Sequence, residues 1–152
     1  MLVASEFTGG LILRFSIFGK LLSLAAGLAV IGSSAFADTI YECSFLENRA
    51  NNGWVPTSVV VSHVPGAEKA LVSDAMILSA FGEPRLMEVK RDTETKLTIE
   101  WEIGLRASDG TGATFSYVLV IQKQAKTATI NGFPEGYSNQ FGSTGTCKVK
   151  TE

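Results

Sequence analysis

The longest regular pattern in the chain is a strict alternation of apolar and polar residues from Lys96 to Arg106. Leu97, Ile99, Trp101, Ile103 and Leu105 fall on one side, and Lys96, Thr98, Glu100, Glu102 and Arg106 on the other. Successive side chains of a strand point to opposite faces, so this run predicts a half-buried antiparallel strand. Residues 113–123 repeat the pattern, with Phe115, Tyr117, Leu119 and Ile121 on one face. Between the two runs, Ser108-Asp109-Gly110-Thr111-Gly112 carries an Asp-Gly turn signal, which joins them as a hairpin.

Weaker versions of the same pattern fill the rest of the chain after residue 38. Thr39–Phe45 places Tyr41, Cys43 and Phe45 on one face, and 54–64 contains the β-branched run Val59-Val60-Val61. Further strands are predicted over 69–78, 86–92, 126–131 and 145–150, separated by Asn51-Asn52-Gly53, Pro65-Gly66, Gly82-Glu83-Pro84 and Asp92-Thr93-Glu94. No helix is predicted in this part. The one ambiguous stretch is 67–78, where Ala70, Leu71, Asp74 and Leu78 have helical spacing. The fold class is therefore all-β: an antiparallel meander of about eight strands. A small barrel is favoured over a β-sandwich, because closure leaves no unpaired edge.

The first 37 residues have a different character. Arg14 and Lys20 precede an apolar run, Leu21 to Gly32, followed by Ser33, Ser34, Ala35, Phe36 and Ala37. A basic start, a short apolar segment and a small-x-small ending form a secretory signal peptide. Ala35 and Ala37 are the small residues that signal peptidase needs, so the cut is expected between Ala37 and Asp38. The run is shorter than the roughly 20 residues of a spanning helix, which disfavours an uncleaved anchor. No cysteine follows it to carry a lipid. The expectation is a single exported domain, 38–152, in the periplasm or secreted.

Export gives the two cysteines a meaning. Cys43 lies in the first predicted strand and Cys147 in the last, and an even count in an exported chain reads as a disulfide. A bridge between them brings the first and last strands together, as in a sheet closed on itself. A thiol metal site is disfavoured, because the chain has one histidine and no ligand spacing around it. No motif calls for a cofactor.

Charge excludes one class of partner. The leader holds Glu6, Arg14 and Lys20, and the eleven basic and fourteen acidic residues after it leave 38–152 at −3, scattered singly. Nucleic-acid binding rests on clustered Lys and Arg, so it is not expected.

Candidate chemistry is sparse. His63, the sole histidine, lies at a predicted strand end and is read as a surface or strand-end residue, with no Gly-x-Ser-x-Gly elbow to supply a nucleophile. Glu100 and Glu102 share a face about 7 Å apart, a spacing between those of retaining and inverting glycosidases, but they belong to the polar side of their strand. Asp109-Gly110-Thr111-Gly112 has a single carboxylate and reads as a turn, since calcium takes six to eight oxygens. The segment from Asn131 to Gly145 is the richest. It reads as a long glycine-bearing loop with Phe133, Tyr137 and Phe141 four apart, and such loops are often functional. Trp54, just after an Asn-Gly turn, joins that surface if it lies at the same end.

Tyr41-Glu42-Cys43 at the start and Cys147 near the end of an exported barrel resemble the small periplasmic inhibitors of c-type lysozyme. The resemblance covers the chain ends and the fold plan. The family's inhibitory loops are Ser- and Lys-bearing, and no functional residue is carried across. The leading functional expectation is a non-enzymatic domain that binds an extracytoplasmic protein or glycan through Trp54, Phe133, Tyr137 and Phe141. The alternatives are a carrier of a small apolar ligand inside the barrel (Leu97, Ile99, Trp101, Phe115, Tyr117), an inhibitor of a cell-wall hydrolase, and a small hydrolase using Glu100, Asp74 or His63.

Overall fold

A computed structural model describes residues 37–47, 51, 53–106 and 110–152. Most of the expected signal peptide, with Ala35, lies outside the described residues. Ala37 and Asp38 immediately precede the first strand.

The strands are β1 (Thr39–Phe45), β2 (Ser58–His63), β3 (Lys69–Asp74), β4 (Arg85–Asp92), β5 (Lys96–Arg106), β6 (Gly112–Gln122), β7 (Thr127–Pro134) and β8 (Phe141–Thr151). Each pairs antiparallel with the next, and β8 returns to β1, so the sheet is a closed barrel in chain order. The expected meander and barrel are both present. The alternation that predicts the β5–β6 hairpin also fills the interior: Leu97, Ile99, Leu119 and Ile121 are fully buried, as are Val59 and Val61 from β2.

Closure takes place on β8. Its first half, Phe141–Thr146, pairs with β7, and its second half, Gly145–Thr151, pairs with β1. At the overlap a Cβ on Gly145 would stand 2.0 Å from the Ser44 carbonyl oxygen, so only glycine admits both partners there. Cys43 lies directly opposite Cys147 in the β1–β8 register, and the two form the expected disulfide with both side chains buried.

Three expectations are corrected. The strand over 69–78 stops at Asp74. The Asp74 Oδ1 accepts hydrogen bonds from the Met76 and Ile77 N–H groups at 2.7 and 2.8 Å and caps a helix, α1 (Ala75–Phe81), ended by Gly82 at φ 75°. Of the four residues with helical spacing, Ala70, Leu71 and Asp74 lie in β3 and only Leu78 is in the helix, where it is exposed, while Ile77 drops into the core. Second, β7 does not end at Asn131 but continues to Pro134, and β8 begins at Phe141, so the long loop shrinks to residues 135–140. The alternation is hidden because position 132 is glycine. A Cβ there would lie 2.7 Å from Cε1 of Tyr117, whose ring occupies the place of the missing side chain. Third, His63 is at a strand end as expected, but it is buried.

The two ends of the barrel differ. The turns at one end are short: 64–68, 93–95 and 123–126. Asp92 ties them together, its Oδ2 accepting from the Gly66 N–H at 2.9 Å and from His63 Nε2 at 3.0 Å, and its Oδ1 accepting from Lys123 Nζ. A carboxylate only accepts, so His63 carries its proton on Nε2. At the other end the connections 46–57, 75–84, 107–111 and 135–140 include the helix and the longest irregular stretch.

Two outcomes follow for stability. Replacing Cys43 and Cys147 together by alanine releases a closure spanning 104 residues and is expected to cost about 2–5 kcal/mol in chemical denaturation. Unchanged stability would show that strand pairing alone sets the closure. For Asp92, burial alone would raise the carboxyl, but hydrogen bonds from Lys123, the Gly66 N–H and His63 outweigh it and hold it at about 2, below its usual 3.8. A carboxyl lowered by folding stabilises above its unfolded value and loses that effect as pH falls through its folded value. Asp92→Asn is therefore expected to lose about 1–3 kcal/mol at pH 7, with the gap to wild type closing between about pH 4 and pH 2. Melting curves across that range measure it, and a gap independent of pH would count against the clasp.

Candidate functional site

The connection 46–57 is anchored by one buried amide. Asn51 Nδ2 donates to the Gly142 carbonyl at 3.0 Å, and its Oδ1 accepts from the Gly142 N–H at 3.3 Å. The side chain thus pairs with the start of β8 much as another strand residue would. The Asn51 carbonyl in turn accepts from the Trp54 N–H at 2.8 Å. Val55 and Pro56 are buried behind it, so the indole of Trp54 is delivered to the barrel mouth.

There it meets the top of an aromatic row. Trp54 stacks on Phe115 with ring centroids 4.8 Å apart, Phe115 on Tyr117 at 5.9 Å, and Tyr117 on Trp101 at 5.5 Å, all within 21° of parallel. Offset stacks of this kind add to plain area burial. The Tyr117 hydroxyl donates to the Trp54 carbonyl at 2.6 Å and also lies 3.3 Å from Met76 Sδ on α1. One side chain therefore links the core, the 46–57 connection and the helix. Burial, with Asp74 nearby, pushes the Tyr117 phenol well above its usual range, so it remains a donor at neutral pH. Burial likewise raises the Asp74 carboxyl, against the lowering effect of its two helix N–H bonds.

Phe141, the first residue of β8, tilts against Phe115 at 6.2 Å. Tyr137 stands in the 135–140 connection just after Gly136, at φ 77°, and is 72% exposed. Together these side chains form a cleft of about 250 Å³ at the loop-bearing mouth, lined by Trp54, Phe115, Pro134, Tyr137 and Phe141, with Thr111 to Ala113 and Asn139 completing the rim. Among the described residues, no Asp, Glu, Lys, Arg or His lines it.

The sequence-predicted residues divide. Trp54 from the 46–57 connection, Tyr137 from the 135–140 connection and Phe141 from the start of β8 come together. Phe133 does not join them. It lies on β7 between the buried Gly132 and Pro134, so its side chain points to the outer face beside Ser116. Phe115, assigned to the barrel interior from the alternation, is also the floor of the cleft, and Pro134 and Asn139 were not singled out. The signal for Pro134 is its alternation with Ile130 and Gly132, which the glycine masks.

The other candidates stay apart from the cleft. Glu100 and Glu102 lie on the outer face as expected, with Glu88 directly opposite Glu100. A hydrogen bond from Lys90 holds Glu88 below the usual carboxylate range. Asp109 lies outside the described residues. His63 is committed to Asp92 at the opposite end, and its Nδ1 is buried without a partner among the described residues.

Tyr117→Phe keeps the ring and removes only the hydroxyl, leaving the Trp54 carbonyl without that donor. The expected cost is about 1–3 kcal/mol, with a change in Trp54 emission that marks release of the 46–57 connection. A variant matching wild type in both readouts would show that the hydroxyl does not hold the mouth. In comparisons with known proteins, no family model, no curated protein and no solved structure matches this chain.

Proposed function

We propose that 38–152 is an exported, non-enzymatic binding domain that engages an extracytoplasmic protein or glycan through the aromatic cleft. The observation that carries this reading is the convergence of Trp54, Tyr137 and Phe141, from three separate segments, around the Phe115 ring. Aromatic side chains are costly to leave beside water, and Trp and Tyr are the residues on which recognition energy concentrates. The floor is held in advance by Asn51 and Tyr117, which lowers the ordering cost of binding.

The competing readings draw less support. A carrier needs room inside the barrel, whereas Leu97, Ile99, Leu119 and Ile121 are fully buried against one another and Trp101 stacks on Tyr117. Small barrels commonly fill themselves in this way. A hydrolase needs acids in unlike environments, whereas Glu100 and Glu102 share one outer face and His63 is spent on the Asp92 clasp. The disulfide suits an oxidising compartment outside the cytoplasm.

The test compares capture from periplasmic and extracellular extracts by wild type, Tyr137→Ala and Phe133→Ala. Tyr137→Ala is expected to lose about tenfold or more in recovery, and Phe133→Ala to match wild type, because its ring faces elsewhere. Equal recovery by a folded Tyr137→Ala variant would contradict the assignment of the cleft.

A further inference from the structure

The lining of the cleft narrows what it takes. We infer that its occupant is a neutral sugar ring of a glycan, a deepening that rests on the binding function proposed above. Three properties lead there. The first is charge: among the described residues the lining holds no ionisable side chain other than the Tyr137 phenol, so a charged group entering the cleft loses its water and meets no counter-charge from them. Phosphorylated, sulfated and carboxylate-bearing groups are disfavoured on that ground.

The second is size. About 250 Å³ falls below the roughly 300–1,000 Å³ of pockets that enclose drug-sized ligands. One ring with its substituents fills that space, whereas a longer chain or fused ring system would leave much of its surface outside the cleft.

The third is the division of the walls. Trp54, Tyr137 and Phe141 offer aromatic faces, whose negative quadrupole favours C–H groups. Asn139 is exposed at the rim and puts an amide at that edge. A purely apolar side chain would satisfy the aromatic faces but strip water from the rim amide with nothing in exchange. A pyranose matches both parts: its C–H face lies on the aromatic wall while its hydroxyls meet the amide edge. Tyr137, 72% exposed on a short connection, is the ring best placed to lie over the sugar. Trp54 already gives one face to Phe115 and forms the fixed wall.

The experiment is a screen of the intact protein against an array of neutral glycans, followed by titration of tryptophan emission with each hit. Toluene serves as an apolar ring without a hydroxyl, and oligoglucuronate as a charged sugar. Tyr137→Ala and Asn139→Ala are the test variants, both at exposed positions, with Phe133→Ala as the control. The expected result is saturable binding of at least one neutral glycan, weakened about tenfold or more by each test variant and unchanged by the control, with oligoglucuronate inert. Three results would overturn the inference: no neutral glycan bound, binding indifferent to both Tyr137 and Asn139, or oligoglucuronate bound as well as the neutral sugars. If toluene alone binds, with the same dependence on Tyr137, the sugar assignment fails while the cleft remains a binding site for an apolar side chain of a protein. If nothing binds the cleft and Tyr137→Ala is also neutral in extract capture, the sugar assignment and the binding reading fail together.

Discussion

Everything in this fold depends on one strand pairing with two neighbours. Strand β8 gives its first half to β7 and its second half to β1. Without that second pairing, β1 and β8 would both present open edges, the feature that makes sheets prone to add foreign strands. The requirement bears most heavily on Gly145, where the β1 backbone at Ser44 approaches too closely for any side chain. The Cys43–Cys147 bridge fastens the same pair covalently two residues further along. Closure is thus enforced by an absent side chain and a covalent bond two positions apart.

Once the barrel is closed, its two ends can be specialised. At the short-turn end a single carboxylate, Asp92, gathers a backbone N–H, an imidazole and an ammonium from different turns. That arrangement ties the turns of that end together. At the other mouth the core does not stop at the last layer of aliphatic side chains. It continues through Trp101, Tyr117 and Phe115 to Trp54. The aromatic row carries the rigidity of the barrel out to the cleft, and the Tyr117 hydroxyl locks the connection that bears Trp54. A preorganised apolar wall beside an uncharged polar rim is the chemical content of the candidate site.

Much of this was legible in the sequence wherever alternation was unbroken. The β5–β6 hairpin, the eight-strand meander and the disulfide follow from side-chain period, turn residues and the placement of two cysteines. The failures fall where a residue breaks the period for a packing reason. Gly132 interrupts β7 because the Tyr117 ring fills its place, and that interruption hid the rest of the strand, lengthened the expected loop and misplaced Phe133. Helix α1 was missed because it is short and begins at the end of a strand, with Asp74 serving as the last residue of one and the cap of the other. Burial of His63 was not legible, since its partner Asp92 is distant in the chain. Trp54, Tyr137 and Phe141 were identified as aromatic and near turns, but only the fold shows that Phe115 stands between them.

The central claim is that the loop-bearing mouth, and not the outer sheet face, is where this protein meets its partner. Two-dimensional ¹H–¹⁵N NMR of the protein with and without a bound glycan or captured partner tests it most directly. The account predicts that shifts concentrate on the Trp54 indole N–H, the Asn139 side-chain amide and the backbone of Ala113, Tyr137 and Phe141, while Phe133, Glu100 and the Asp92 clasp stay still. Shifts centred on Phe133, Ser116 and Glu102, with the mouth unchanged, would contradict it.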